Sequence, residues 1–171
     1  MISHLQLNNY FVKGLSFRSN PAYSPESKVR NEGQINCSIE YGIGVEAPDH
    51  FMIALVITVE PSTVSPALDP YHINMRIEGY FHFMPGTQIS PAEKERMATL
   101  NGSSILLGLA RGFVAQATGV SEFGKYLLPA VNFVEILKNA GRMGDVAGSA
   151  VAVVEDIGSG VQTTVVGGDK K

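Results

Sequence analysis

The sequence predicts an α+β fold, a four-stranded antiparallel sheet followed by one long and one short helix. In the first half, apolar residues recur with period two in four runs divided by Pro, Asn, Asp and Gly. In the second half the apolar spacing changes to three and four. No helical stretch separates the four runs, which argues against β-α-β units and for an antiparallel sheet.

The first run spans Leu5 to Phe17, with Leu5, Leu7, Phe11, Leu15 and Phe17 in irregular phase, so a bulge is expected near Asn8 to Tyr10. The second alternates strictly. Ile35, Cys37, Ile39, Tyr41, Ile43 and Val45 oppose Asn36, Ser38, Glu40, Gly42, Gly44 and Glu46, the pattern of a strand with one wet face. Ala47-Pro48-Asp49 reads as a turn. From Phe51 to Val59 both faces are apolar, because Met52, Ala54 and Val56 join the alternate residues; this strand is expected to be covered on both sides. Pro61 to Pro70 reads as a loop. The fourth run sets Ile73, Met75, Ile77, Phe81 and Phe83 against His72, Asn74, Arg76, Glu78 and His82.

Ser90-Pro91 starts the long helix, with Ser90 as N-cap and Glu93 completing a capping box. Gly102 predicts a break or kink, after which Ile105, Leu106, Leu109, Phe113 and Ala117 keep helical spacing up to Gly119. A short helix is expected from about Asn132, through Phe133, Ile136 and Leu137, to Gly141. The chain divides into a folded domain, 1–143, and a flexible Gly/Ala/Val-rich tail, 144–171.

At 171 residues, 44% apolar and 17% charged, the chain is long enough for one buried core and too apolar for disorder. A net charge of −3 argues against a nucleic-acid surface. No apolar run nears the roughly 18 residues of a membrane span, and Ser3, His4 and Gln6 interrupt any signal-peptide pattern. The single cysteine fits an intracellular, cytoplasmic setting.

Candidate chemistry is thin, and no cofactor or metal is expected. Gly119 to Tyr126 matches G-x-x-x-x-G-K, but Tyr126 stands where a phosphate loop needs Ser or Thr, and the segment follows a helix instead of a strand. Cys37 with a histidine base is an enzymatic alternative, but its place on an apolar stripe favours packing. His72 and His82 are too far apart along a strand to share a metal. Gly42-Ile43-Gly44 reads as a bend. What remains is more apolar surface than one small domain covers. That points to a homo-oligomer that binds an apolar ligand and is not an enzyme.

Four segments resemble the SecB family of protein-export chaperones. They are Leu7 to Phe17, Gly79-Tyr80-Phe81-His82-Phe83, Ser104 to Arg111, and Leu127 to Phe133, in family order over residues 5 to 140. The resemblance implies an ATP-independent holdase assembled as a dimer of dimers. It would keep unfolded or precursor polypeptides competent for export. By position it implies client contacts at Pro21, Tyr23, Ile35, Cys37, Ile39, Phe133, Ile136 and Leu137. It also implies the SecA motor as a partner, but where SecA-docking members carry acids this chain has Gly14, Arg18 and Asn74. Other SecB-like proteins serve toxin–antitoxin systems, the alternative role. The apolar run Ala150 to Val154, beside an apolar-peptide binder, is expected to fold back into the client groove.

Overall fold

The computed structural model describes residues 3–26, 34–44, 47, 49–62, 69–139, 151–157 and 160–166, with side chains described up to residue 138. Four strands, β1 (Leu5–Ser19), β2 (Gln34–Ile43), β3 (His50–Glu60) and β4 (Tyr71–Phe83), form one sheet in the order β1-β4-β3-β2. Every pairing is antiparallel. The fold is α+β, as the periodicities predict. β2, β3 and β4 form a meander; the chain between β1 and β2 crosses from one sheet edge to the other.

The β2–β3 turn closes with Gly44 N–H bonding His50 O (3.0 Å) and His50 N–H bonding Ala47 O (2.9 Å). Val45, Glu46 and Pro48 of that expected segment lie outside the described residues.

β1 carries two register shifts, at Leu7/Asn9 and Val12/Gly14, where the sequence phase predicts a single bulge. Each shift flips the side-chain phase. Leu5 and Leu7 face the core, then Tyr10 and Val12 oppose Gly79 and Ile77, and then Leu15 and Phe17 resume. Phe11 therefore lies on the outer face opposite Glu78, where its ring meets Tyr80 edge-on at 5.9 Å.

One helix, α1 (Pro91–Thr118), covers the inner face. Ser90 caps it, its hydroxyl accepting from Glu93 N–H. The reciprocal half of the capping box does not form; Arg96 holds the Glu93 carboxylate at 2.7 and 2.9 Å and lowers its pKa. The helix does not break at Gly102. There it rests on the sheet so closely that a Cβ would lie 3.1 Å from Ile53 Cγ1 and 3.2 Å from Phe81. Glycine costs a helix about 1 kcal/mol, and dispersion across this close approach to the sheet offsets it.

The doubly apolar β3 is covered partly from within the chain. Ala54 lies between Glu40 and Glu78, and Arg76 reaches both carboxylates, at 2.9 Å and 3.1 Å. Lys13 adds a fourth charge, 3.4 Å from Glu78. This lattice closes over the small alanine and supplies some of the cover expected from a second copy.

A short helix, α2 (Phe133–Asn139), follows. Within the segment expected to be a flexible tail, β5 (Val151–Ile157) and β6 (Gly160–Val166) form an antiparallel hairpin with its own two-stranded sheet. Valine and threonine, which fit the pleated chain, are the composition that permits it.

Candidate functional site

β2 and α2 bring the candidate residues together. Strict alternation puts Ile35, Cys37 and Ile39 on the inner face of β2, in register with Val59, Ile57 and Leu55. Spacing of three and four puts Phe133, Ile136 and Leu137 on one side of α2. Asn132 caps that helix, its side-chain oxygen accepting from Val134 N–H at 3.2 Å and its carbonyl from Glu135 N–H at 3.1 Å. These six residues are buried in one apolar cluster.

Pro21 and Tyr23, after β1, stand apart. Pro21 is exposed and Tyr23 half-buried. The Tyr23 ring meets Phe123 at 4.8 Å, and Phe123 meets Tyr71 at 6.0 Å, so Tyr23 reaches the core through an aromatic relay. Asn20 fixes this segment. Its N–H bonds Pro70 O, its side-chain N–H bonds Asp69 O (both 2.8 Å), and its side-chain oxygen accepts from Ala22 N–H. Sequence reasoning passes over Asn20, though the Asn-Pro dipeptide is a turn signal that identifies it.

Two further features frame the site. β2 is an edge strand of the main sheet, and β5 runs beside it while β5 and β6 both touch α2. Near the β2–β3 turn an apolar recess of about 360 Å³ opens between Ile43, Phe51, Pro91 and Ala92. An Asp49–Lys94 ion pair of 2.6 Å sits on its rim.

The opposite edge carries apolar surface that the candidate set omits. Tyr10, Phe11, Val12 and Phe17 of β1 are all more than a third exposed. The signal for it is the irregular phase of the first run, since two bulges leave aromatic residues on both faces.

The site offers little reactive chemistry. Cys37 is fully buried, and desolvation pushes its thiol up to about 12. The thiol stays protonated at neutral pH, and the thiolate is the nucleophile. We expect a soluble disulfide reagent to leave Cys37 unmodified in the folded chain at pH 8 and to react fully in denaturant. Rapid reaction in the folded state would show that β2 opens. The raised pKa also sets a sign. Its contribution to stability is complete below 9.0, the ordinary value, and is lost as the pH climbs toward about 12.

His72 bonds Glu60 at 2.7 Å and His82 stacks on His50 at 5.8 Å, so each histidine has its own neighbour. Among the described residues no cluster of His, Cys, Asp or Glu fits a metal ion. The G-x-x-x-x-G-K segment follows α1 and turns at Gly124, whose φ of +73° suits glycine. Gly14, Arg18 and Asn74 lie on the outer face, in register with Arg76, His72 and Ser16. No helix among the described residues is long and apolar enough to cross a membrane.

No family model matches the sequence. An uncharacterized protein of Methanocaldococcus jannaschii is 22% identical over 135 residues, covering 79% of this chain and 83% of its own. Among solved structures, the chain is similar to the Mycobacterium tuberculosis SecB-like chaperone in complex with a ChAD peptide from the HigA1 antitoxin. That likeness has a TM-score of 0.58 and 12% identity, over 75% of this chain and 91% of the other. It shows a SecB-like fold.

Proposed function

We propose that this chain is a non-enzymatic, ATP-independent holdase that binds unfolded polypeptides along the β2 edge and α2. The observation that carries the proposal is the combination of a SecB-like fold with an edge strand, β2, that shares one buried apolar cluster with the short helix α2. An edge strand offers unpaired main-chain groups, which an extended client can complete, and the apolar neighbours reward any greasy side chain that follows.

Each such contact is weak. A Kd near 1 mM is worth only about 4 kcal/mol. Several sites on one particle engaging one long client raise affinity through effective concentration and stay tolerant of sequence. Assembly of copies therefore belongs to the reading. The apolar β1 edge, opposite β2, suits a second copy, and a dimer of dimers would present several client strips. The holdase pulls clients away from aggregation by binding the unfolded state, with no chemistry of its own.

Delivery of precursors to the SecA motor is one use of such a protein, in the cytoplasm. A dedicated partner, as in a toxin–antitoxin system, is favoured by two observations. The SecB-like neighbour holds an antitoxin peptide, and three outer-face positions that carry acids in SecA-docking members are Gly14, Arg18 and Asn74 in this chain. We expect stoichiometric protein to suppress light scattering by several unrelated proteins diluted from denaturant. Protection of none overturns the holdase reading; protection of a single protein only favours the dedicated partner.

A further inference from the structure

We propose that the β5–β6 hairpin is a built-in, displaceable competitor for the polypeptide strip along β2 and α2. The inference rests on the holdase reading and deepens it, because it says what an incoming client must outcompete.

Position comes first. β5 runs beside β2, and both hairpin strands touch α2, the two elements that hold six of the eight candidate residues. The hairpin keeps its own two-stranded sheet and is not a fifth strand of the main one. It is therefore a guest on that edge. A lone two-stranded hairpin is marginally stable in water, so this one depends on the surface it lies against. The same marginality makes it removable.

Composition comes second. β5 reads Val-Ala-Val-Val-Glu-Asp-Ile and β6 reads Gly-Val-Gln-Thr-Thr-Val-Val. These are extended, β-branched, weakly charged segments, the chemistry expected of a chain that pairs with an edge and buries apolar groups. The hairpin resembles the ligand it competes with. Clients that displace it best should share its composition, and densely charged unfolded chains should fail to.

The arrangement answers a hazard of the fold. An uncovered apolar edge templates pairing between copies and aggregation. A tethered hairpin covers the edge when no client is present, and its tether keeps its local concentration high. Its cost is weaker client binding. If it is docked nine-tenths of the time, the apparent client Kd rises about tenfold.

The test uses the full chain. Val154 and Thr163 are paired in the hairpin ladder, and V154P/T163P removes both donors without touching β2 or α2. Binding of reduced, alkylated α-lactalbumin, a permanently unfolded probe, is measured for wild type and variant. A synthetic peptide of residues 150–166 is then added to the variant, and hydrogen exchange at β2 amides is followed without probe.

The expected result is about tenfold tighter probe binding by the variant, reversal by the peptide, and faster exchange along β2. Equal probe affinities overturn the proposal and leave the holdase reading standing. Absence of probe binding by either chain overturns the holdase reading and the competitor with it.

Discussion

Phe81→Ala is expected to destabilise the domain by about 3–5 kcal/mol, one of the two largest single-residue effects in this fold. Phe81 is completely buried in β4, between Leu7 and Phe51 on the flanking strands. Its ring lies where α1 touches the sheet, within 3.2 Å of a Cβ placed at Gly102 and 2.8 Å of one at Gly79. Two glycines thus leave room for one ring, and neither can move in to fill the space it vacates. A cavity beneath a helix this close to the sheet collapses poorly, which places the loss toward the upper end. Against a total stability of roughly 5–15 kcal/mol, that is a large share. For a domain of this size, about 4 kcal/mol lowers Tm by roughly 8–16 °C. Denaturant unfolding at unchanged m-value reads it directly. A loss below about 1 kcal/mol would mean that α1 is not seated on this ring.

Tyr71→Ala is expected to cost a similar amount, about 3–5 kcal/mol, and to weaken client capture as well. Tyr71 is fully buried at the start of β4 and meets Phe17 and Phe123 at 6.0 Å and Tyr126 at 6.2 Å. Its hydroxyl donates to Gly124 O at 2.8 Å. It therefore ties the turn after α1 to the sheet, and that turn feeds Leu128 and Phe133 into the core. Tyr71→Phe separates the contributions. It keeps the ring and loses only the hydrogen bond, for about 1 kcal/mol. In aggregation suppression well below either variant's Tm, Tyr71→Ala should protect less than Phe81→Ala at matched stability. Equal protection would show that the aromatic tie has no bearing on the α2 surface.

Much of the architecture is legible because period two is hard to produce by accident. Ile35 to Ile43 and Ile73 to Phe83 alternate cleanly, and both are strands. Ser90-Pro91 marks the start of α1. What escapes a sequence reading is decided by distant contacts. Gly102 reads as a breaker because its propensity is poor, yet packing on Ile53 and Phe81 keeps the helix whole. The irregular phase of β1 signals a bulge, but spacing alone does not separate one bulge from the two that set the face of Phe11. The sheet order is also hidden, since nothing local says that β1 and β2 occupy opposite edges.

The candidate site is legible to a different degree. The stripes on β2 and α2 can be read directly, and they converge. Whether a stripe faces its own core or a visitor is not encoded in its alternation, because both environments reward the same side chains. The hairpin beside β2 is foreshadowed only by the run Ala150 to Val154, with glycines diluting the rest.

The edge-to-edge crossing between β1 and β2 has a kinetic consequence. β2, β3 and β4 are neighbours in sequence, so their ladders close over short spans. β1 leaves the ribosome first, yet Leu5 pairs with Phe83 and cannot find it until β4 has emerged. β1, with Tyr10, Phe11 and Phe17, therefore waits longest for its partner during synthesis. Loop closure over that span is the slow entropic step. A nascent copy of this chain is thus, for a time, an unfolded polypeptide of the kind that finished copies would hold.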